Sequence, residues 1–305
     1  AYGSAGGDIT VRGFDSQRVA LLQDGIPLND SGNYAIYPNQ QLDGDLIDKV
    51  TVNLGTTDVD SPTAAAAGGT INYITRGTSH ERGVRAELGY GSNNFQRYYG
   101  TIETGDIGTS GPRAWFSGLF TRNDMFTPHF AVAPPQGKIQ KAQFNFRIDQ
   151  DVADYGKISM IGNYNQNRNS FINRISIANF NANTAPVNNA QAAAENINPS
   201  NTGNVRILSS WNISDAITFT VDPSFQYVLA NGGGAANWAE SDAQIRGGTA
   251  AAGVDLNGDG DLLDSVRLYR PNTTQTHRLG VTSSLIYKFA SNQSVRLAYT
   301  WDRAR

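Results

Sequence analysis

The sequence predicts a mostly β protein: a transmembrane antiparallel β-barrel wall of about nine strands, led by a small α+β unit. Strand-length segments alternate apolar and polar residues from 84 to 302, so each carries one greasy and one wet face. Their connections alternate between short turns and long loops, the pattern of an outer-membrane barrel. The 305 residues contain no run of about 20 apolar residues, which excludes a membrane-crossing helix. Strands need only about 9–11 residues each, half of them polar, so a mean hydropathy of -0.40 is compatible with a barrel.

The leading unit is read element by element. Ile9, Val11 and Phe14 predict a short strand. Val19, Leu21 and Leu22 predict a second, closed by the Asp24-Gly25 turn before Ile26-Pro27-Leu28. Asn39 as a cap, with Leu42, Leu46 and Ile47, predicts a brief helix over 39–47. Val50-Thr51-Val52-Asn53-Leu54 alternates as a strand, residues 55–69 are small and polar, and Thr70 to Thr75 makes a last strand.

From Gly83 the alternation takes over. Val84, Ala86, Leu88 and Tyr90 share one face, opposite Arg85 and Glu87. Segments follow at 95–104, 113–123, 142–149, 156–166, 204–213, 216–229, 278–289 and 295–302. The cleanest sets Ala142, Phe144, Phe146 and Ile148 against Gln143, Asn145, Arg147 and Asp149. Segment 113–123 is less pure, because Trp115 and Leu119 fall opposite Phe116 and Phe120. Pro223 is expected to shift the register within 216–229. Short turns fall near 106–112, 150–155, 214–215 and 290–293, long connections at 124–140, 167–203 and 230–275, and only the turn at 91–94 breaks the long set. An odd strand count does not close an ordinary bacterial barrel, so the chain is expected to be a piece of a longer one.

Composition narrows the chemistry. Net charge is -3, from 24 Lys+Arg against 27 Asp+Glu without a basic run, which argues against a nucleic-acid partner. The absence of cysteine removes disulfides, zinc thiolates and cysteine nucleophiles. His80, His129 and His277 share no metal spacing and no G-x-S-x-G occurs, so no enzyme is expected. The most specific local chemistry is DLNGDGDLLD, residues 255–264. Asp255, Asn257, Asp259 and Asp261 hold positions 1, 3, 5 and 7 of a calcium loop, with Gly260 at position 6. Position 12 is Val266, so the bidentate Glu is missing and Asp264 is the substitute. A structural calcium and a solvated turn both remain open. The Asn-rich 167–203 connection is likewise either a polar ligand surface or a hydrated loop.

Three pieces in residues 8–76 then resemble one family, in order and spacing. Ile9 to Phe14 (ITVRGF) is similar to an "IRGF" segment. Val19 to Leu28 (VALLQDGIPL) is similar to a "vlvDGvpl" strand-turn. Ile47 to Val52, with Gly68 to Arg76 (GGTINYITR), is similar to "IerIEV…GGvIniiTk". These are the marks of the plug domain of TonB-dependent outer-membrane receptors, and the strands from 84 onward resemble the start of their barrel. The stretch Leu54 to Ala64 departs from the family's usual Gly-Pro and Tyr-Gly steps.

The resemblance implies a plug at 1–80, the N-terminal part of a barrel at 81–305, and a bacterial outer-membrane location among lipid. It implies energised uptake of an iron chelate (siderophore), corrinoid or oligosaccharide, with TonB and its inner-membrane motor complex as partner. A passive porin or adhesin-like barrel is the alternative. Arg12 is implied as a plug-to-barrel contact, and a ligand apex is expected around 29–37 and 56–66, with Asn29, Asp30, Asn33, Tyr34, Tyr37, Asp58 and Asp60. A plug would also face the inward charges Arg85, Glu87, Arg97, Glu103 and Arg147.

Overall fold

The structure, a computed structural model, describes residues 9–31, 36–37, 40–55, 63, 66–124, 137–170, 177–181, 197–232, 234–246 and 253–305. Its strands are β1 (Val19–Gln23), β2 (Ile26–Pro27), β3 (Ile47–Asn53), β4 (Gly69–Thr75), β5 (Arg82–Gly91), β6 (Phe95–Thr104), β7 (Arg113–Asp124), β8 (Lys138–Val152), β9 (Gly156–Asn169), β10 (Ser200–Ser214), β11 (Ile217–Asn231), β12 (Gly234–Ala239), β13 (Ser265–Arg270), β14 (Thr273–Ala290) and β15 (Gln293–Ala304). A short helix, α1, spans Ile177–Asn181.

The N-terminal unit is a four-stranded sheet in the order β2-β1-β4-β3, with β1 and β4 parallel. Asp24 and Gly25 join β1 to β2 with left-handed φ values of 51 and 83, the two-residue turn that a right-twisted hairpin needs. Val19, Leu21, Leu28 and Ile36 form its core, with Ile9, Val11, Ile71 and Tyr73 against them. The strand expected from Ile9 to Phe14 is instead a tight turn. Val11 and Phe14 exchange backbone bonds of 3.1 and 3.0 Å around Arg12 and Gly13, whose φ values are 54 and 82. The helix expected over 39–47 is replaced, among the described residues, by 3-10 structure at Gln40 and a 3-10 turn at Gly44–Leu46. Asp43 caps it by accepting the Asp45 N–H, and Asn39 lies outside the described residues. Gly44 weakens a longer helix, and the chain turns straight into β3 at Ile47.

The second sheet is a nine-stranded antiparallel meander, β5 to β11 followed by β14 and β15, each strand paired with the next in sequence. It is open, with β5 and β15 as its edges. Connections run alternately at its two ends, and the three long ones share an end with the 91–94 turn. The third is not structureless, because β12 and β13 pair as an antiparallel hairpin within it. Strands also run further than the alternation suggested. β9 reaches Asn169 and β14 starts at Thr273, in polar segments where no apolar–polar alternation signals a strand.

Pro223 does not shift the register. β11 pairs with β14 without interruption from Ile217↔Tyr287 to Asn231↔Thr273. Against β10 the same register holds on both sides, at Arg206↔Ser224 and Trp211↔Phe219. Proline lacks the N–H for the intervening ladder, and Ser209 fills the gap. Its Oγ donates to the Val221 carbonyl at 2.7 Å and accepts the Val221 N–H at 3.2 Å, while its own N–H reaches Asp222 Oδ1 at 2.7 Å.

The two faces of this sheet differ. Val84, Leu88, Ile102, Phe116, Phe144, Leu285 and Leu297 stand exposed on one of them. So continuous an apolar surface does not belong in water, and it suits a face that meets hydrocarbon. Phe144, 66% exposed, is therefore a sensitive probe. Phe144→Arg is expected to lower the unfolding free energy in lipid vesicles by about 2–4 kcal/mol, the cost of a mid-bilayer cation. An unchanged urea midpoint in bilayers would remove this face from the hydrocarbon. The opposite face is polar and lies against the N-terminal unit.

Candidate functional site

The contact between the N-terminal unit and the inner face of the large sheet is where the chemistry concentrates. At its centre stands the β1–β2 turn. Asp24 Oδ2 accepts Arg206 Nη2 at 2.8 Å and Nε at 3.1 Å, with the two side chains 4% and 1% exposed. Thr75 completes the carboxylate shell, its N–H reaching Oδ1 at 2.7 Å and its hydroxyl reaching Oδ2 at 2.7 Å. Gln23, also buried, donates to Thr75 Oγ1 at 3.0 Å and to Asn163 Oδ1 at 3.1 Å. Arg206 points inward because Val205 and Ile207 beside it point out, as the period of two demands. A buried ion pair holds only when such hydrogen bonds finish both partners, and here they do.

A second group sits toward the end with the long connections. Arg97 reaches Asp43 at 2.8 Å and also Asp45, and Arg85 reaches Asp45 at 3.2 Å. Burial, the largest influence on the Asp43 carboxyl, pushes it up. The Arg97 hydrogen bond, the Asp45 N–H and the charges of Arg97 and Lys141 outweigh that and hold it below its ordinary value. Lys141 Nζ and Gln143 Nε2 both donate to the Gln41 carbonyl, at 2.9 and 2.6 Å.

The third group lies where the unit leaves for β5. Arg76 pairs with Glu103 at 2.5 Å, and Arg147 Nη1 donates to the Thr75 carbonyl at 2.9 Å. One apolar patch joins these polar groups, formed by Leu42, Leu46, Tyr99, Trp115 and Leu119 with Ile47. This explains the mixed pattern of β7. Trp115 and Leu119 point inward to meet the N-terminal unit, while Phe116 on the other face is exposed. The inward charges Arg85, Arg97, Glu103 and Arg147 thus face the N-terminal unit, and Glu87 braces Arg97 at 3.3 Å.

The residues nominated from sequence are distributed as follows. Arg12 is exposed, and its guanidinium lies beside Gly55, where an added Cβ would fall 2.7 Å from Nη1. The ion pairs described above run from Asp24, Asp43, Asp45 and Arg76. Asn29 is buried and brackets its own domain, its Oδ1 accepting the Leu21 N–H at 2.7 Å and its Nδ2 donating to the Val19 carbonyl at 2.9 Å. Its carbonyl accepts Arg278 Nη1 at 3.2 Å. Asp30 is half-buried and Tyr37 is exposed, with the Tyr37 carbonyl accepting from Gln41. Asn33, Tyr34, Asp58 and Asp60 lie outside the described residues. Sequence reasoning missed Asp24 and Arg206. Asp24 read as a turn former, and the signal for Arg206 was a charge between two outward apolar residues.

Of the five nominated metal ligands, two, Asp261 and Asp264, join a further acid, Glu240, in one group of carboxylates. A carboxylate oxygen from each of Glu240, Asp261 and Asp264 lies within 4.8 Å of the other two. Asp255 instead shapes the loop, accepting the Gly258 N–H at 2.6 Å and the Gly260 N–H at 2.9 Å. Asn257 Oδ1 accepts the Asp259 N–H at 3.1 Å, and its Nδ2 donates to Asp259 Oδ2 and Asp264 Oδ2 at 3.0 Å each. Asp264 is held above its ordinary carboxylate value, first by a hydrogen bond shared with Asp259.

A small four-stranded unit seated by charged groups on the polar face of an open antiparallel sheet, whose other face is apolar, is the arrangement of a plug against a barrel wall. The comparisons say what this arrangement is similar to. Residues 1–70 match the family model described as TonB-dependent Receptor Plug Domain, and nearly the whole chain shares its fold with the solved structures that follow. The ferric-catecholate import receptor Fiu from E. coli, in its open form, superposes with a TM-score of 0.64 at 16% identity, covering 97% of this chain and 44% of that one. The FrpB iron transporter from Neisseria meningitidis gives 0.68 at 15% identity, covering 99% of this chain and 44% of that one. The pyoverdine outer membrane receptor FpvA from Pseudomonas aeruginosa, bound to pyoverdine, gives 0.62 at 15%, covering 97% and 40%. This chain therefore spans under half the length of each of the three. No curated protein sequence matches it.

Proposed function

We propose that the protein containing this chain is a receptor of the bacterial outer membrane that takes up a scarce ligand with energy from TonB and breaks no bond. The observation that carries this reading is the polar seating of the plug. Asp24–Arg206, Arg97–Asp43 and Arg76–Glu103 hold the domain in place largely through charged hydrogen bonds. Such bonds are directional and break over short distances, so a pull from the periplasm can release them in sequence. A broad hydrophobic core would oppose withdrawal over its whole buried area. The apolar outer face of the sheet suits lipid as its surroundings.

Among iron chelate, corrinoid and oligosaccharide, iron chelate is the cargo we favour, because the matched structures are named for iron, ferric catecholate and pyoverdine. Asn29, Asp30 and Tyr37 are the described members of the proposed ligand apex. The test is uptake of labelled ferric chelate, corrinoid and oligosaccharide in cells with and without the full-length gene, each with and without TonB. Gene- and TonB-dependent uptake of one cargo supports the reading. Gene-dependent entry indifferent to TonB, with steady conductance in planar bilayers, would make the protein a passive porin.

A further inference from the structure

We infer that Glu240, Asp261 and Asp264 hold one hard divalent cation, calcium by chemistry, clamping the base of the β12–β13 hairpin. The inference is independent of what the protein transports.

Glu240 follows directly on β12 and is 0% exposed. Its Oε1 accepts the N–H groups of Leu256 and Asn257, at 2.8 and 3.2 Å. Its other oxygen, Oε2, is buried and has no hydrogen-bond partner among the described residues. A buried carboxylate oxygen without a partner is costly, and two further carboxylates alongside make it more so. A cation resolves both problems at once. The oxygens of the three acids lie within 4.8 Å of one another, and ligands on opposite sides of one calcium, each about 2.3–2.6 Å from it, stand about 5 Å apart. The set is all oxygen, which suits calcium and not a nitrogen- or sulfur-seeking metal.

The fold also explains why Glu240 takes this place. The loop from Asp255 follows the calcium pattern up to Asp261 but has Val266 where the bidentate Glu belongs. Hairpin pairing sets Ala239 opposite Ser265, and the Glu240 N–H bonds the Asp264 carbonyl at 3.0 Å. The missing carboxylate is thus supplied from across the hairpin. Gly253 lets the connecting segment close onto Glu240, since any side chain there would collide with the Glu240 carbonyl.

The test is calorimetric titration of the purified chain, in detergent micelles after chelator treatment, with calcium chloride and separately with magnesium chloride. One calcium per chain is expected, with Kd about 10⁻⁴–10⁻³ M as in extracellular modules, and weaker magnesium binding. Glu240→Gln should weaken calcium at least tenfold while retaining an oxygen to accept from Leu256 and Asn257. Asp261→Asn, at an exposed position where folding is not at stake, should do the same. Absence of saturable heat, wild-type affinity in Glu240→Gln, or magnesium binding as tight as calcium would each overturn the inference. Should Glu240→Gln lose its strand spectrum by circular dichroism, Asp261→Asn decides: a tenfold loss supports the site and an unchanged Kd overturns it.

Discussion

Arg206→Met is expected to cost the seated plug about 3–5 kcal/mol, because it leaves the Asp24 carboxylate buried without a cation. The pair is almost wholly out of water, with exposures of 1% and 4%. The hydroxyl and amide of Thr75 remain after the substitution, but they carry no full charge to replace the guanidinium. The double variant Asp24→Asn/Arg206→Met should recover most of the loss, since removing both charges also removes the desolvation cost. Hydrogen exchange at Thr75 and its neighbours, with urea unfolding of the four proteins, measures the coupling. A loss below about 1 kcal/mol, the range of an exposed surface pair, would mean that water reaches Asp24 and that the plug is not centred there.

Trp115→Ala is expected to cost about 3–5 kcal/mol, the range for emptying a buried tryptophan site. Trp115 is fully buried among Leu42, Leu46, Tyr99 and Leu119. Its indole N–H also donates to the Arg76 carbonyl at 3.3 Å, and the Arg76 guanidinium stands 4.9 Å over its ring. Removing it therefore loosens plug and wall together. The neighbouring Phe116→Ala is the control, because that ring is half exposed on the outer face and its loss in lipid empties no core. Unfolding in lipid vesicles separates the two. Equal losses would show that β7 does not turn Trp115 toward the plug.

Much of this was legible because it is local. The faces of β8 follow from Phe144 and Phe146 alternating with Gln143 and Asn145, since side chains on a strand must alternate. The Asp24-Gly25 turn is likewise read from residue types that accept positive φ. The same logic misjudged Pro223, beside which Ser209 of the preceding strand bonds Val221 and Asp222 with no change of register. It read Ile9 to Phe14 as extended, although Arg12 and Gly13 turn the chain. It read 230–275 as one open loop, because β12 and β13 are short and separated by a long insertion. With that pairing unseen, Glu240 had no reason to join the acids at 261 and 264.

What the sequence by itself determined was the class: antiparallel strands with one apolar face, a plug ahead of them, and turns where Gly and Asp allow them. Those properties depend on sterics and period within a few residues. The tertiary structure alone decided which charges meet. Asp24 and Arg206 are 182 positions apart. No local pattern marks one as the partner of the other, because their attraction acts only after both sheets have formed and excluded water between them.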